Sequence, residues 1–279
     1  MKILIVYNSE KYGGDTTAYQ CAEILNSSDV QTSIIKFDTR VTREIPCAGY
    51  DAVVAVGGDG TIIKVAKCAA AVNIPVLGVN AGRIGYLAGV DSEDLSQLKY
   101  IAAGNFFTEN RLMINASIIR NGKTLASYDC LNDAVISKCT IANMIDISLI
   151  IGNDSIGYRS DGFIVATPTG STAYSMSAGG PVIDPTLDCM VLTPVCPHTF
   201  MNRSTVINAD STVDIKVGGE IGSAYFTADG REMFELLKGD IVRIGRSDTY
   251  AKFINLGNQT VYKVFSEKNR INDPVAAKG

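Results

Sequence analysis

The turn Gly57-Gly58-Asp59-Gly60-Thr61 follows an unbroken apolar run, Asp51–Val56, and opens a segment of helical composition, Thr61–Ala71. A strand-to-helix turn of this kind aims backbone N–H groups and the positive end of the helix dipole at one point, which suits an anion. Glycine lets the backbone approach phosphate oxygens with no Cβ in the way. A carboxylate in the middle of such a turn repels phosphate unless it has chemistry to do. Asp59 can take a proton from an attacking hydroxyl, or hold a magnesium ion. It can also simply cap the helix. Lys64, one turn further on, can meet a phosphate as a point charge. The turn is neither a P-loop nor a dinucleotide fingerprint, because the chain carries no G-x-x-x-x-G-K-[ST] and no G-x-G-x-x-G.

Three further stretches carry polar groups at useful spacing. In Asp161–Gly180 an apolar run, Phe163–Ala166, enters a turn dense in hydroxyls and glycine, followed by a short helical segment. Hydroxyls and free amides at a helix start can bind a flat polar ligand such as adenine, ribose or an amide, or can satisfy their own backbone. Leu131-Asn132-Asp133 sets two donor and acceptor side chains at the start of an apolar stretch. They can read a base edge or a ribose diol, or form an Asx turn. Thr193–Thr199 holds His198, the single histidine. That count excludes a histidine-rich metal site and the H-E-x-x-H pattern, and His198 reads as a structural residue between strands.

The elements that must position these groups change in character along the chain. The first third alternates strand and helix: Lys2–Tyr7, a helix over Asp15–Leu25, Thr32–Phe37, Asp51–Val56, the helix Thr61–Ala71, Pro75–Asn80, and a helix over Asp91–Ala102 with Gly104 near its end. That is a βαβ pattern and implies a parallel sheet. Beyond about residue 105 the runs shorten. Ile114–Ile119 and Thr124–Tyr128 flank Asn121-Gly122, and Ile145–Ile151 and Ser155–Tyr158 flank Gly152-Asn153-Asp154, both hairpin signals. Gly162–Thr167, Thr212–Val217, Tyr225–Ala228 and Asp240–Ile244 add further strands. The expected fold is an α/β N-terminal domain with a parallel sheet, residues 1–100, and a β-rich domain, residues 101–249.

The 279 residues suffice for two modest cores. A net charge of −4 argues against a nucleic-acid partner. No apolar run is long enough to span a bilayer, and Met1–Tyr7 is too short for a signal-peptide core, so no membrane association is expected. Seven cysteines with no C-x-x-C pair read as reduced thiols and a cytoplasmic location.

Taken together, these stretches resemble the NAD kinase family. The glycine-aspartate turn, Asn80-Ala81-Gly82-Arg83-Ile84-Gly85-Tyr86-Leu87, Asn132-Asp133, the Asp161–Gly180 block and Pro197-His198-Thr199 occur in that family's order and rough spacing. The block is the specific part, since lipid kinases and phosphofructokinases carry similar glycine-aspartate turns. The resemblance implies phosphorylation of the adenosine-side ribose 2′-hydroxyl of NAD by ATP or another polyphosphate, with a divalent metal, magnesium, as cofactor. It implies a sandwich-like C-terminal domain, residues 250–279 returning to the first domain, an active site in the cleft between domains, and a homotetramer built as a dimer of dimers. By similarity Asp59 is the catalytic base or metal-linked acid. Gly57, Gly58, Gly60, Thr61 and Lys64 serve the donor phosphates. Tyr86, Asn132, Asp133, Arg159, Asp161, Thr172, Ala173, Tyr174 and Ser177 serve NAD, with Arg159 and Asp161 contacting a dinucleotide bound mainly to a neighbouring subunit.

The chain departs from the family at two points. Tyr86 stands where phenylalanine is common, which keeps an aromatic face, and Arg231 stands where glutamine is common after Asp229-Gly230. Two other readings use the same residues. A kinase of a lipid or sugar hydroxyl would share the glycine-aspartate turn. A non-catalytic dinucleotide sensor would keep the other stretches and have no use for an acid at Asp59.

Overall fold

Lys2–Asn8 forms strand β1, in which Ile3, Leu4, Ile5 and Val6 are all fully buried, the mark of a strand covered on both faces. The computed structural model describes residues 1–9, 13–38, 45–82, 85–139, 143–218, 224–257, 264 and 266. The chain forms two units, Met1–Asn110 with Ala251–Gly279, and Arg111–Tyr250.

In the first unit, β1 is joined by β2 (Gln31–Phe37), β3 (Ala52–Gly57) and β4 (Val76–Asn80). All pair in parallel, in the order β4-β3-β1-β2. Helix α1 (Gly14–Asn26) lays Ala18, Cys21, Ala22 and Leu25 on Ile3, Ile5, Val54 and Val56 of one sheet face. Helix α2 (Asp59–Ala70) packs on β3, β4 and β1, and right-handed crossovers running outward in opposite directions put it on the opposite face. The alternate residues Leu4, Val6, Val53 and Ala55 are buried there.

The chain leaves β1 toward β2 and leaves β3 toward β4, so the strand order reverses between β1 and β3. Ligands of open parallel sheets bind beyond the carboxyl ends of the strands at such a reversal. Asn8 and Gly57 end the two strands that flank it.

The helix expected over Asp91–Ala102 is much shorter than its composition suggests. Val90–Asp91 is strand β5, paired with β4. A turn and one 3₁₀ turn, Leu95–Gln97, precede helix α3 (Leu98–Ala102). Asp91 is drawn into the strand because its carboxylate accepts the Asn80 side-chain amide at 3.1 Å.

The second unit is β-rich. Strands β6 (Phe107–Arg120) and β7 (Lys123–Cys130) form a hairpin through Asn121 and Gly122, with φ of 51° and 73°. Strands β8 (Asp133–Lys138), β9 (Ile145–Ile151), β10 (Asp154–Ser160) and β11 (Gly162–Ala166) follow. Helix α4 (Tyr174–Ser177) separates them from β12 (Cys189–Val195), β13 (Thr205–Asn208), β14 (Val213–Val217), β15 (Ala224–Ala228), β16 (Glu232–Leu236) and β17 (Ile241–Asn255).

One sheet runs β10-β9-β14-β17, with β6 beside β17, and the other runs β13-β12-β11-β8-β15-β16. Ile147, Leu149, Val213 and Ile215 of the first meet Ile136, Phe163, Val165 and Phe226 of the second in one core, which makes a β-sandwich. The outer face of the second sheet is also apolar: Val135, Ile164, Ala166 and Val191 lie under Ala178 and Ile183. That double burial explains the unbroken apolar run Phe163–Ala166.

The strand expected over Asp240–Ile244 is corrected at both ends. Asp240 is a turn residue, held by Arg120 Nε and Nη2 at 2.8 and 2.7 Å. The strand then continues to Asn255, through polar residues whose partners lie far off in sequence: Arg246 pairs with Asp188 and Asp210, and Ser247 donates to Asp129 at 3.0 Å. Phe253 of β17 pairs with Val76 of β4, which places the end of this strand in the first unit. Among the described residues no helix is long and apolar enough to cross a membrane.

Candidate active site

Strand β3 ends at Gly57, Gly58 caps α2 with its carbonyl accepting from Thr61 and Ile62, and Asp59 is the first helical residue. Its carboxylate thus sits at the positive end of a twelve-residue helix. The N-cap position is taken by Gly58, so Asp59 does not fill it. It turns instead to the segment after β4. The Tyr86 N–H donates to Oδ2 at 3.0 Å and the Leu87 N–H to Oδ1 at 3.1 Å. Two fixed donors hold the carboxylate and leave each oxygen a further lone pair for a hydroxyl or a cation. Gly85 permits this approach, because a Cβ there would overlap Asp59 Oδ1. Arg83 and Ile84 of this segment lie outside the described residues. Burial, and then the Asp59 charge, raises the proton affinity of the Tyr86 hydroxyl.

Gly60 is exposed, Gly58, Asp59 and Lys64 are half-buried, and Gly57 and Thr61 are buried. The Thr61 hydroxyl faces inward and accepts the Asn8 side-chain amide at 3.1 Å. Gly57 is needed against it, since a Cβ there would come within 2.9 Å of Thr61 Oγ1.

In the second unit, β8 begins at Asp133 beside the turn that follows β11. Asp133 is only 4% exposed. Burial first, then the charge of Asp229, pushes its carboxyl up to about 7, partly offset by the Tyr174 backbone N–H. Asn132 is half-buried. Thr169–Thr172 forms a 3₁₀ turn, and the backbone turns sharply at Ala173 into α4. Gly170 lies so close to the Asn132 carbonyl that a Cβ would collide with it. Thr172 donates to the Thr169 carbonyl at 3.2 Å, and Ser175 shares a buried bond with Thr193 at 2.9 Å. Tyr174 and Ser177 are exposed, which leaves the Tyr174 ring face open to a planar ligand. Asn132, Asp133, Thr172, Ala173 and Tyr174 therefore gather at one end of the β8–β11 pair.

Arg159 and Asp161 do not join them. Asp161 meets Lys138 at the other end of β8, with Lys138 Nζ at 2.6 Å. That is one strand length, about 17 Å, from Asp133. Arg159 is exposed on β10, 4.0 Å from Asp146. His198 is an exposed loop residue whose backbone N–H donates to the Arg159 carbonyl at 2.8 Å.

Residues 3–105 match the ATP-NAD kinase N-terminal domain, and residues 131–256 match the ATP-NAD kinase C-terminal domain. The NAD kinase of Symbiobacterium thermophilum is 44% identical over 220 residues, 78% of each chain. The chain belongs to the NAD kinase family. The NAD kinase of Desulforamulus reducens is 39% identical over 81% of this chain and 79% of that one. Among solved structures, an NAD kinase from Archaeoglobus fulgidus in complex with ATP superposes with a TM-score of 0.77 at 27% identity, covering 97% of this chain and 99% of that one. Yeast NADH kinase complexed with NADH shares the fold, with a TM-score of 0.84 at 18% identity over 98% of this chain and 88% of that one.

Two residues that support the groups described above escape a reading of the sequence. Asn8 supports the Thr61 hydroxyl, and its only signal is a polar side chain at the end of an apolar strand. Asp229 accepts backbone N–H groups from Leu131, Asn132 and Asp133 at 3.1, 2.7 and 3.2 Å. Its signal is Asp-Gly between two apolar runs, which reads as an ordinary hairpin turn.

The donor set bears on a metal ion. Among the described residues no three His, Cys, Asp or Glu side chains come together. A lone carboxylate with open lone pairs fits magnesium, which protein sites commonly hold through one or two carboxylates and the substrate phosphates.

Proposed function

We propose that this chain transfers the terminal phosphoryl group of ATP, or of another polyphosphate, to the 2′-hydroxyl of the adenosine ribose of NAD, giving NADP. The observation that carries the reading is Asp59. A carboxylate at a phosphate-binding helix start, at the reversal of strand order, is held by two amides and capable of accepting one more proton. Family membership, and the relative solved with ATP, support the two substrates.

A ribose hydroxyl is a poor nucleophile at neutral pH. The site must set it in line with the terminal phosphorus and take its proton as the bond forms. Asp59 accepts that proton. The amides at the start of α2 and Lys64 face the donor phosphates. Asn132 and Asp133 hold a ribose or base edge of NAD, and Thr172, Ala173, Tyr174 and Ser177 line the pocket, with the Tyr174 ring against a planar group. Asp59 and the donor phosphates would hold the magnesium, which when bound supplies neutralisation of phosphoryl oxygen charge.

The working unit is more than one chain in this reading. Asp161 lies a strand length from Asp133 and Arg159 lies on β10 of the other sheet, so a second copy supplies them to the dinucleotide. The edge strand β13 and the fully exposed Phe200, at 102%, with Met201 and Val206, form a surface suited to that contact. A dimer of dimers is the assembly we favour. Cys21, Cys47, Cys68, Cys189 and Cys196 are free thiols, in keeping with a cytoplasmic location.

A lipid acceptor would require an apolar chain pocket, whereas the Asp161–Gly180 block is dense in hydroxyls. Incubating the protein with ATP and magnesium, and with NAD, a sugar phosphate or diacylglycerol as acceptor, decides among these substrates. Phosphate should appear on NAD alone, in a product that an NADP-specific dehydrogenase uses. Transfer to another acceptor at a higher rate would overturn the reading.

A further inference from the structure

Leu131 and Asn132 precede the β8 ladder that Asp133 opens, and each backbone polar group of the three has a partner. Asp229 Oδ2 accepts the Leu131 N–H, and Oδ1 accepts those of Asn132 and Asp133. The Asp229 N–H donates back to the Asp133 carbonyl at 2.9 Å. The remaining two carbonyls go to Thr167: its hydroxyl donates to Leu131 at 2.5 Å and its N–H to Asn132 at 2.8 Å. The Thr167 hydroxyl in turn accepts the Gly170 N–H at 3.0 Å. Two residues therefore satisfy three residues of backbone completely.

The cost of placing Asp229 there is visible in its backbone. Its φ of 50° lies in the left-handed region, which aspartate tolerates better than most residues, and Gly230 follows at 70°. The turn aims the carboxylate back across the sheet at the start of β8. A plain Asp-Gly hairpin turn has no need of that, because Arg231 closes the turn by donating to the Ala228 carbonyl at 3.1 Å. The carboxylate is spent on three amides that lie 96 to 98 residues earlier in the chain.

We propose that Asp229 is a positioning residue for the dinucleotide, fixing the backbone of Leu131-Asn132-Asp133 so that the Asn132 and Asp133 side chains meet NAD at a set distance and angle. The proposal rests on the reading of those two residues as NAD contacts. Charge-assisted bonds to three consecutive amides are stronger than neutral ones, and side chains on a fixed backbone lose less freedom when the ligand binds. Thr167 holds the carbonyl side of the same segment but contributes no charge.

The experiment compares Asp229→Asn, Asp229→Ala and Asn132→Ala by steady-state kinetics for NAD and ATP, by calorimetry with NAD, and by circular dichroism. Asp229→Asn keeps one acceptor oxygen but turns an amide toward a backbone N–H. It should raise the Kd and KM for NAD by about tenfold, a change of about 1.4 kcal/mol, with the KM for ATP within about twofold of wild type. Asp229→Ala should go further in the same direction. Asn132→Ala should weaken NAD on its own, and if it does not, the reading on which the proposal rests fails and the proposal falls with it. If Asn132→Ala weakens NAD while Asp229→Asn leaves it unchanged, Asp229 positions nothing. KM values for NAD and ATP rising together, or loss of fold in Asp229→Asn, would make Asp229 a support for the hairpin alone and overturn the proposal. Loss of fold in Asp229→Ala alone leaves the asparagine variant to decide.

Discussion

Asp59 and Asp133 are carboxylates of different units, and their surroundings give them different properties. Asp59 is half-buried, held by two amides and open to solvent at the start of a helix. Asp133 is buried with a second carboxylate nearby, and its carboxyl is pushed up to about 7. The folded protein therefore holds this proton more tightly than an unfolded chain, whose aspartate sits near 3.8. Asp133 favours the folded state at low pH, and that contribution is lost as pH rises from about 4 to about 7. Asp133→Asn removes the titration. Its melting temperature relative to wild type should rise between about pH 4 and about pH 7 and level off above, reflecting a difference on the order of a few kcal/mol. Parallel melting curves across that range would show that Asp133 does not titrate there.

The residues that were legible in the sequence are those whose chemistry is local. Gly57 to Thr61 reads as a phosphate turn because strand, glycine, acid and helix follow one another within a dozen residues. Asp229 and Asn8 were not legible, because the groups they serve are far away in sequence. Asp229 is separated from Asn132 by 97 residues, and Asn8 from Thr61 by 53. Nothing in their own surroundings distinguishes them from a turn residue and a strand end.

At the scale of elements, glycines within each unit let one element approach another. Gly85 lies against Asp59, Gly170 against the Asn132 carbonyl, and Gly78 against the Leu87 carbonyl, where a Cβ would come within 2.7 Å. Gly85→Ala is the sharpest case, because the overlapping atom is the carboxylate oxygen itself. The turn or the carboxylate must shift, and a displacement near 1 Å in a phosphoryl-transfer site reduces kcat by about a hundredfold. The KM for NAD should change less than kcat, since the added Cβ meets the Asp59 carboxylate first, although the neighbouring Tyr86 is assigned to NAD. Kinetics in which kcat survives and KM for NAD rises would place Asp59 in substrate binding and not in proton transfer. The alternation of strand and helix and both hairpins were legible from period and turn chemistry. The short helix after Asp91 and the length of β17 were not. In each the local composition is overridden by a distant partner, Asn80 for Asp91 and Asp188, Asp210 and Asp129 for the polar stretch of β17.

At the scale of the whole molecule, the separation of Arg159 and Asp161 from Asp133 makes the two-chain reading testable. In an isologous pair each site draws Asn132 from one chain and Arg159 from its partner. Arg159→Ala and Asn132→Ala proteins, each weak alone, should regain activity when unfolded together and refolded. An equal mixture restores about a quarter of the sites, because half the pairs are hybrids and each hybrid has one intact site. No recovery, with hybrids demonstrated by native mass spectrometry, would put both residues in the same chain's site or in none. The composition shift near residue 100 is legible in the sequence, while the proposed sharing of a site between copies comes there only from the family resemblance, because periodicity describes one chain at a time.

The central claim is that Asp59 takes the proton from the NAD ribose during phosphoryl transfer. The most direct measurement is NADP formation from NAD, ATP and magnesium by wild-type and Asp59→Asn protein, with NAD affinity measured by calorimetry on the same preparations. The account predicts NADP from the wild type, a kcat lower by about 10² to 10⁴ in Asp59→Asn, and an NAD affinity that changes much less. Turnover near the wild-type rate in Asp59→Asn, or no NADP from the wild type with either ATP or polyphosphate, would contradict it.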